Sequence, residues 1–417
     1  MRKLWQQRIA PYIKDDVRRT VLAVIFFSML FLGLAMGKGD VLAGLLTIIT
    51  HPSQLVSDYV AVAGPGPALV NAALVALIGL ALLTLLQVEI TGPSTAAVFT
   101  MAGFALFGKN VFNILPIFAG VWLYSRYKGV SLRSYILPAL FGSALGPIVS
   151  QIAYGARLGL PQAVLAGVAA GFIISPLAAH LLRNHQGLNL YNLGFTAGMV
   201  GMLFASMLRG WGNPVPALLI WDRDYTGLFS SLLLFLCLGL IFTGLLLNRG
   251  KLSGYREILA HPGTLVTDFM TLAGFGATLI NMGLVGLMGL SYLLLVGGDV
   301  NGPTGGGVLT MIGFGAFGKH PRNIWPLMLG VWLGAMVFHW PVTSAGVLLA
   351  ALFATTMAPI SMQLGWPVGI LAGFLHLAVV HNVGIIHGGL NLYNNGFSGG
   401  LVATVILAIN RGLKRDG

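Results

Sequence analysis

The sequence predicts an all-α polytopic membrane protein built from two inverted-topology repeats. Three observations lead to this fold class. The chain has 417 residues, of which 56% are hydrophobic and 8% are charged, and its mean hydropathy is +0.86. A soluble domain averages about a quarter charged residues, so a chain with so few charges cannot cover a water-facing surface. The other two observations are an internal repeat and an uneven distribution of Lys and Arg between equivalent loops.

The composition also excludes several function classes, among them an ordinary cytosolic enzyme, a disordered regulator and a secreted disulfide scaffold. The single cysteine, Cys237, lies in an apolar run, so no disulfide framework exists. The net charge of +12 would suggest a nucleic-acid partner for a soluble protein. Here the basic residues cluster in short loops between apolar runs, which is the positive-inside pattern. We therefore expect the charge to report topology, with no nucleic-acid partner.

The chain contains a copy of itself. Residues 51–80 are repeated at 261–290, and residues 92–123 are repeated at 302–333. The motif GLNLYNLGF recurs later as GLNLYNNGF. Matching His, Asp, Asn, Lys and Trp residues distinguish this duplication from low-complexity similarity. The predicted parts are a cytoplasmic N-terminal segment 1–19, a first repeat 20–212, a linker 213–225, a second repeat 226–412 and a cytoplasmic C-terminal tail 413–417.

Both repeats contain seven apolar segments in the same order. In the first repeat they are 20–37, 66–87, 93–108, 111–125, 134–155, 160–183 and 188–208. In the second they are 227–248, 276–296, 303–318, 323–338, 342–361, 366–386 and 391–410. A full span takes about 20 residues, so the third segment of each repeat is short. Each short segment is either a full span or the return arm of a re-entrant hairpin, which gives seven or five crossings per repeat.

An odd number of crossings inserts the second repeat upside down, and the loop charges agree with this. The loop 125–133 is basic, whereas its counterpart around His339–Pro341 has no Lys or Arg. Conversely, the loop 37–66 carries one basic residue and its counterpart 249–260 carries three. A cytoplasmic N-terminus places nearly all basic residues inside. The exceptions are Lys38, Lys109, Arg157, Arg209 and Arg223. Inverted repeats therefore account for the charges better than parallel ones.

A Gly-Pro pair precedes each short segment and is the strongest sequence pointer to a transport site. Glycine permits unusual dihedrals and proline removes a backbone donor, so a helix stops there. Short Gly/Pro-interrupted segments at matching places in two halves are typical of transporter binding sites. The new helix N-termini would suit an anion or a carbonyl oxygen, and the alternative is a tight packing bend. The residues of these two breaks are Gly92, Pro93, Ser94, Asn301, Gly302, Pro303 and Thr304.

Two pairs of acidic residues occupy equivalent positions in the repeats. Glu89 corresponds to Asp299, just before the Gly-Pro break, and Asp58 corresponds to Asp268 in the HPxxLVxD segment. Carboxylates within membrane segments usually face a cavity or a partner. We expect Glu89 and Asp299 to be pore or binding-site groups, the alternative being a structural ion pair or cap. Asp58 and Asp268 are secondary candidates, because their segments also resemble interfacial amphipathic helices in which an Asp faces water.

The GLNLYN motifs supply two asparagine pairs. Asn189 and Asn192 are predicted to share one helix face, as are Asn391 and Asn394. Their carboxamides would suit a neutral polar solute, and the alternative is hydrogen bonding between helices. The tyrosines of the motif, at 191 and 393, are either pore walls or interfacial anchors, and anchoring is the commoner role.

The remaining duplicated polar residues are weaker candidates. His185 and His387 precede the GLNLYN motifs and are secondary candidates for a pH-sensitive gate. Histidine spacing does not favour a metal site, and no motif indicates a cofactor or a catalytic constellation. Lys109 and Lys319, in the FGK of each repeat, are expected to snorkel or to complement a helix C-terminus. Attraction of an anion is the minor alternative.

These motifs carry two resemblances. Over nearly the whole chain, the HPxxLVxD, GP[ST]…FGK and GLNLYNxGF blocks resemble a bacterial family of duplicated membrane proteins known only as a domain of unknown function, DUF1576. More loosely, ITGPSTAAVFTMAGF and GLNLYNLGFTAG resemble stretches of urea transporters. That resemblance implies an oligomeric, channel-like protein of two inverted repeats whose short helices meet near the midplane, with the Asn pairs near the pore. This chain lacks the Asn-Asn before Pro and the LPxxTxPF signature, and it has an extra leading span.

The sequence therefore predicts a channel or facilitative transporter for a small polar solute, in the bacterial inner membrane with both termini cytoplasmic. Expected partners are the solute, the lipid bilayer and further copies of the chain in a dimer or trimer. The Gly-Pro breaks would form the constriction between the two repeats. One alternative is a proton- or sodium-coupled secondary transporter. Another is an intramembrane enzyme or an assembly scaffold, although no enzyme activity is expected.

Overall fold

The computed structural model describes residues 10–37 and 39–413. Regular structure in this part of the chain is helical, and strand-like pairing is limited to two isolated bridges, Ser57 with Ile220 and Asp58 with Phe107. Nine helical stretches among the described residues are long and apolar enough to cross a membrane. The chain is a membrane-spanning helical protein, as its composition predicts.

The described chain consists of two halves with α-helices in the same order. The first half contains α1 (Ala10–Met36), α2 (Val41–Thr50), α3 (Tyr59–Ala63), α4 (Pro65–Leu85), α5 (Gly92–Phe104), α6 (Ile114–Tyr127), α7 (Ile136–Gly142), α8 (Gly146–Ser150), α9 (Leu160–His185) and α10 (Asn192–Gly210). The second contains α11 (Thr226–Leu247), α12 (Ser253–Ala260), α13 (Phe269–Ala273), α14 (Phe275–Leu295), α15 (Gly302–Phe314), α16 (Pro321–Val337), α17 (Ala345–Ala354), α18 (Ala358–Gln363), α19 (Trp366–Ile386) and α20 (Asn394–Gly412). The duplication seen in the sequence thus extends through the fold.

The first helix begins at Ala10, ten residues before the predicted start of the first repeat. Its charged first turns contact the loop between α4 and α5. Arg18 donates to the Ile90 carbonyl oxygen at 2.6 Å, and Asp15 accepts from the Ile90 amide at 2.7 Å. These contacts explain why the helix continues through a charged stretch. Residues 1–9 of the predicted N-terminal segment and 414–417 of the predicted tail lie outside the described residues.

Two segments predicted as continuous spans are broken in the middle. Short 3₁₀ turns at Ser143–Leu145 and Thr355–Met357 separate α7 from α8 and α17 from α18. Pro147 and Pro359 lie in the first turn of the helix that follows each break. Because proline has no backbone N–H, it cannot donate to the preceding turn, and the helix restarts there. The apolar runs hide these breaks, since hydropathy does not change across them.

Helices α5 and α15 pack against each other in antiparallel orientation at the centre of the molecule. Every residue of both helices is buried. A Cβ atom on Gly103 would lie 2.4 Å from the Gly306 carbonyl oxygen, and one on Gly306 would lie 2.3 Å from the Gly103 oxygen. The crossing therefore requires glycine on both helices. At one end of the pair, Gly92 lies against the Ala316 carbonyl just beyond the end of α15.

Candidate functional site

The Gly-Pro breaks are helix caps. Thr91 and Ser94 form a capping box at the start of α5, in which the Ser94 hydroxyl accepts from the Thr91 amide at 2.8 Å. Asn301 and Thr304 do the same at the start of α15, where the Thr304 hydroxyl accepts from the Asn301 amide at 2.9 Å. Pro93 and Pro303 follow in the first turn of each helix, where no intrahelical donor is required. The predicted breaks exist, and their polar groups are satisfied within the protein.

Asp58 and Asp268 each cap a helix of the opposite half. Asp268 accepts from the Gly92 amide at 2.9 Å and from the Met270 amide at 3.0 Å. Asp58 is fully buried and accepts from the Val60 amide at 2.9 Å and from the Gly302 amide. The positive ends of α5 and α15 are thus already neutralised by the protein's own carboxylates.

Two expectations about these segments are therefore corrected. The N-termini of α5 and α15 lie at opposite ends of the antiparallel pair, each beside the end of the other helix, so the Gly-Pro breaks do not meet around one constriction. The segments 51–58 and 261–268 are largely extended instead of forming amphipathic helices. Pro52 and Pro262 disfavour a helix at the start of each segment. The amphipathic helices are α2 and α12, which precede them.

Glu89 and Asp299 lie in the loops before α5 and α15. The Glu89 side chain is 57% exposed, and its Oε1 is 3.5 Å from Arg18 Nη1. Asp299 accepts from the indole N–H of Trp221 at 2.8 Å. Both acids lie in the loops just before the caps, where Arg18 and Trp221 are their partners. Their role as pore groups stays a prediction.

The first asparagine of each GLNLYN pair contacts the opposite half of the chain. Helix α10 begins at Asn192 and α20 begins at Asn394, so Asn189 and Asn391 lie in the preceding turns and do not share a helix face with their partners. Asn189 accepts from the Tyr191 amide at 3.2 Å, which is an Asx turn that precludes a helix there. Its amide nitrogen donates to the Gly396 carbonyl of the other half at 3.2 Å.

The second asparagine of each pair binds the preceding histidine. His185 Nε2 lies 3.0 Å from the Asn192 Oδ1, and His387 Nε2 lies 2.8 Å from the Asn394 Oδ1. Both histidines are fully buried. The carboxamides are therefore occupied by protein groups, as the interhelical alternative predicts.

Lys109 and Lys319 differ most from expectation, because both are completely buried. Each has 0% exposed surface, so neither snorkels. Lys319 Nζ donates to the Tyr191 hydroxyl and, at 2.7 Å, to the Thr355 hydroxyl. Lys109 Nζ has no hydrogen-bond partner among the described residues. Burying an ammonium ion without a partner costs on the order of several kcal/mol, so these two residues require a functional or structural explanation.

The lysines flank a group of aromatic rings that both halves contribute. Tyr191 and Tyr393 have ring centroids 5.3 Å apart, and Phe314 and Phe104 pack on them at 4.6 and 4.4 Å respectively. Both tyrosines are buried, which excludes interfacial anchoring. The Tyr393 hydroxyl faces the Thr100 hydroxyl, and neither has another hydrogen-bond partner within the described part of the chain. We name the whole set the lysine–tyrosine cluster: Lys109, Lys319, Tyr191, Tyr393, Phe104, Phe314, Thr100 and Thr355.

Two further residues position the lysines, and the sequence reading missed them. Asn71 in α4 donates to the Ala105 carbonyl at 2.7 Å and to the Lys109 carbonyl at 2.9 Å. Asn281 in α14 makes the equivalent bonds to Gly315 and Lys319 at 2.6 and 2.7 Å. Both asparagines are fully buried. The sequence feature that could have identified them is an Asn at equivalent positions of the two long helices, α4 and α14.

Fold and site together define a membrane-spanning helical protein with a duplicated body and a buried polar cluster between its halves. The chain belongs to the family described as "Protein of unknown function (DUF1576)", whose model matches residues 38–210 and 247–412. This confirms the first resemblance and the duplication. None of the curated proteins and none of the solved structures matches the chain. The looser resemblance to urea transporters stays a prediction.

Proposed function

We propose that the protein is a channel or facilitative transporter for a small polar solute, whose path passes through the lysine–tyrosine cluster. The observation that carries the proposal is the completely buried Lys109 side chain, whose Nζ has no hydrogen-bond partner among the described residues. Leaving such groups unsatisfied destabilises a fold, and unsatisfied groups in membrane segments commonly mark a ligand path. The cluster also lies between the two halves, where transporters of duplicated architecture bind their solutes.

We further infer that the two halves cross the membrane in opposite directions. Asp268 lies just before the start of α14, yet it caps the start of α5, which follows the end of α4. Asp58, before the start of α4, caps the start of α15 in the same way. The start of α14 thus lies beside the end of α4, and the start of α4 lies beside the end of α14. This reciprocity supports inverted repeats, and the loop charges support cytoplasmic termini in an inner membrane.

Cysteine labelling tests the inverted orientation. In a background where Cys237 is replaced by Ser, Lys128→Cys and Thr343→Cys place single thiols in equivalent, exposed loops. A membrane-impermeant thiol reagent is expected to label Thr343→Cys in intact cells and Lys128→Cys only after permeabilisation. Labelling of both thiols on the same side would contradict inversion.

Solute flux tests the transport proposal. The purified chain in proteoliposomes is expected to accelerate equilibration of at least one small polar solute over protein-free vesicles, with urea as the first neutral probe. Passive flow predicts no requirement for a proton or sodium gradient. The double variant Glu89→Gln with Asp299→Asn is expected to slow this flux if the two acids line the entrances. Equal rates in protein-containing and empty vesicles for every solute would refute the proposal.

A coupled secondary transporter is the second candidate, favoured by the closed centre of the structure. Every residue of the lysine–tyrosine cluster is buried, so the cluster does not open to the surface. A solute would then enter only after the halves move, as in alternating access. Uptake that follows an imposed pH or sodium gradient would identify this mechanism. Assembly into a dimer or trimer is part of either proposal, and neither involves a catalytic reaction.

A further inference from the structure

We propose that the solute is a small monovalent anion and that the ammonium groups of Lys109 and Lys319 bind it. The inference rests on the proposed transport function and names its substrate class. It starts from the two fully buried lysines in one cluster, to which the described chain offers no carboxylate. An ionised group in such a place is stable only when another charge compensates it.

The acidic residues of the described chain are all engaged or exposed elsewhere. Asp15 and Glu89 pair with Arg19 and Arg18, and Asp299 accepts from Trp221. Seven others act as helix or loop caps or face solvent without contacting either lysine. The caps are Asp58, Asp222 and Asp268, and the exposed acids are Asp16, Asp40, Asp224 and Glu257. No carboxylate of the described chain therefore compensates the ammonium form of either lysine, and an anion from outside would stabilise that form.

Aromatic rings lie beside the nitrogen of each lysine. Lys319 Nζ lies 4.5 Å from the Tyr191 ring centroid and 5.3 Å from that of Phe314, and Lys109 Nζ lies 5.5 Å from that of Phe104. Ring faces carry partial negative charge and attract cations without using their hydrogen-bond donors. An ammonium group that pairs with an anion here would therefore keep its free N–H groups for that anion.

The free donors suit an anion better than a neutral solute. An ammonium group has three N–H donors, and Lys319 uses two of them on the Tyr191 and Thr355 hydroxyls. Lys109 uses none on described residues. A neutral solute such as urea would satisfy hydrogen bonds but would not compensate the charge of the ammonium form. A halide, nitrate or carboxylate anion would satisfy donors and charge at once.

The test combines binding with flux for the full chain and three variants. Lys109→Met and Lys319→Met remove each charge and keep an unbranched apolar side chain, an exchange that buried ions often tolerate. Lys251→Met removes an exposed lysine and is the matched control. Thermal unfolding in detergent is measured in potassium chloride, nitrate, formate and gluconate at equal ionic strength, because a bound ligand raises the melting temperature. Flux of the same anions and of urea is measured in proteoliposomes.

We expect at least one small anion to raise the melting temperature of the wild type and of Lys251→Met relative to gluconate. Lys109→Met and Lys319→Met should lose this rise, and their flux of that anion should fall about 10- to 100-fold, the loss of one charge-assisted hydrogen bond. Comparison of chloride, nitrate and formate shows whether the bound anion is a halide, an inorganic oxyanion or a carboxylate.

The failures of the two proposals are distinguishable. Urea flux without any anion effect on stability or transport would overturn the anion site and leave the transport proposal standing. Anion-dependent stabilisation that both buried-lysine variants lose, without flux of any solute, would support the site and overturn transport. A melting temperature that Lys109→Met and Lys319→Met change equally in all four salts would show a structural role only, and would overturn the inference.

Discussion

Asn71 and Asn281, which bind the backbone turns that carry Lys109 and Lys319, give the most specific stability prediction. Asn281 donates two hydrogen bonds, to the Gly315 and Lys319 carbonyls, and Asn71 makes the equivalent pair in the first half. A hydrogen bond between membrane helices contributes about 0.6 kcal/mol on average and up to about 1.7 kcal/mol. Substitution by Ala also leaves two buried carbonyls unsatisfied and a void. We expect Asn281→Ala and Asn71→Ala to lower the free energy of unfolding by about 2–4 kcal/mol each.

An Asp series separates the hydrogen bonds from the void. Asn281→Asp keeps the side-chain shape but replaces the donor nitrogen with an oxygen that faces two carbonyl oxygens, so its loss should exceed that of Asn281→Ala. Asn382→Ala is the control, because Asn382 is exposed and donates only to Ala378 of its own helix, at 2.9 Å. We expect a change below about 0.5 kcal/mol for this variant.

The assay is unfolding in mixed detergent micelles with increasing dodecyl sulfate, followed by the fluorescence of the eight tryptophans. The reasoning would be refuted if Asn71→Ala and Asn281→Ala both unfolded within about 0.5 kcal/mol of the wild type, as the control should. It would also fail if Asn281→Asp were more stable than Asn281→Ala.

Two further predictions concern contacts between the halves. Gly103→Ala and Gly306→Ala each place a methyl group within 2.5 Å of a carbonyl oxygen across the α5–α15 crossing and should destabilise by about 1–3 kcal/mol. Gly239→Ala in α11 meets nothing within 4 Å and should be neutral or stabilise by up to about 1 kcal/mol in the same unfolding assay. Asp268→Ala removes a cap from α5 and from α13 and should cost about 1–2 kcal/mol, with the exposed Asp16→Ala near zero. Either prediction would be contradicted if a variant and its matched control had the same unfolding midpoint.

The sequence predicted what depends on composition and local pattern. Membrane class, duplication, helix order and the start of a new helix at Gly92 all follow from hydropathy, repeats and Gly-Pro chemistry. It did not predict that Asp268 caps that helix, since the two residues are 176 positions apart and belong to different halves. Nor did it predict the buried state of Lys109. From the sequence, a lysine just after a short apolar helix is expected at the membrane interface. Its burial becomes visible only when the antiparallel partner helix is packed against it.

The sequence directed attention to Glu89 and Asp299, because acidic residues within membrane segments are rare. In the structure these acids are bound by Arg18 and Trp221 in the loops before the helix caps, and their role as pore groups stays a prediction. The complete burial of Lys109 and Lys319 could not be predicted, because it depends on how helices far apart in the sequence pack together.

The two copies of the lysine site are built alike but engaged differently. Lys319 contacts the Thr355 hydroxyl, whereas Lys109 makes no equivalent bond to Ser143, the residue at the matching 3₁₀ turn. The Ser143 hydroxyl is present and donates to the Leu140 carbonyl, just as Thr355 donates to Leu352. A difference in side-chain chemistry therefore does not explain the unpartnered lysine. Under the proposed transport function, halves that move against each other would place equivalent residues in different states. Lys109 would then be the lysine with free donors for a ligand in this structure, whereas the protein occupies two donors of Lys319.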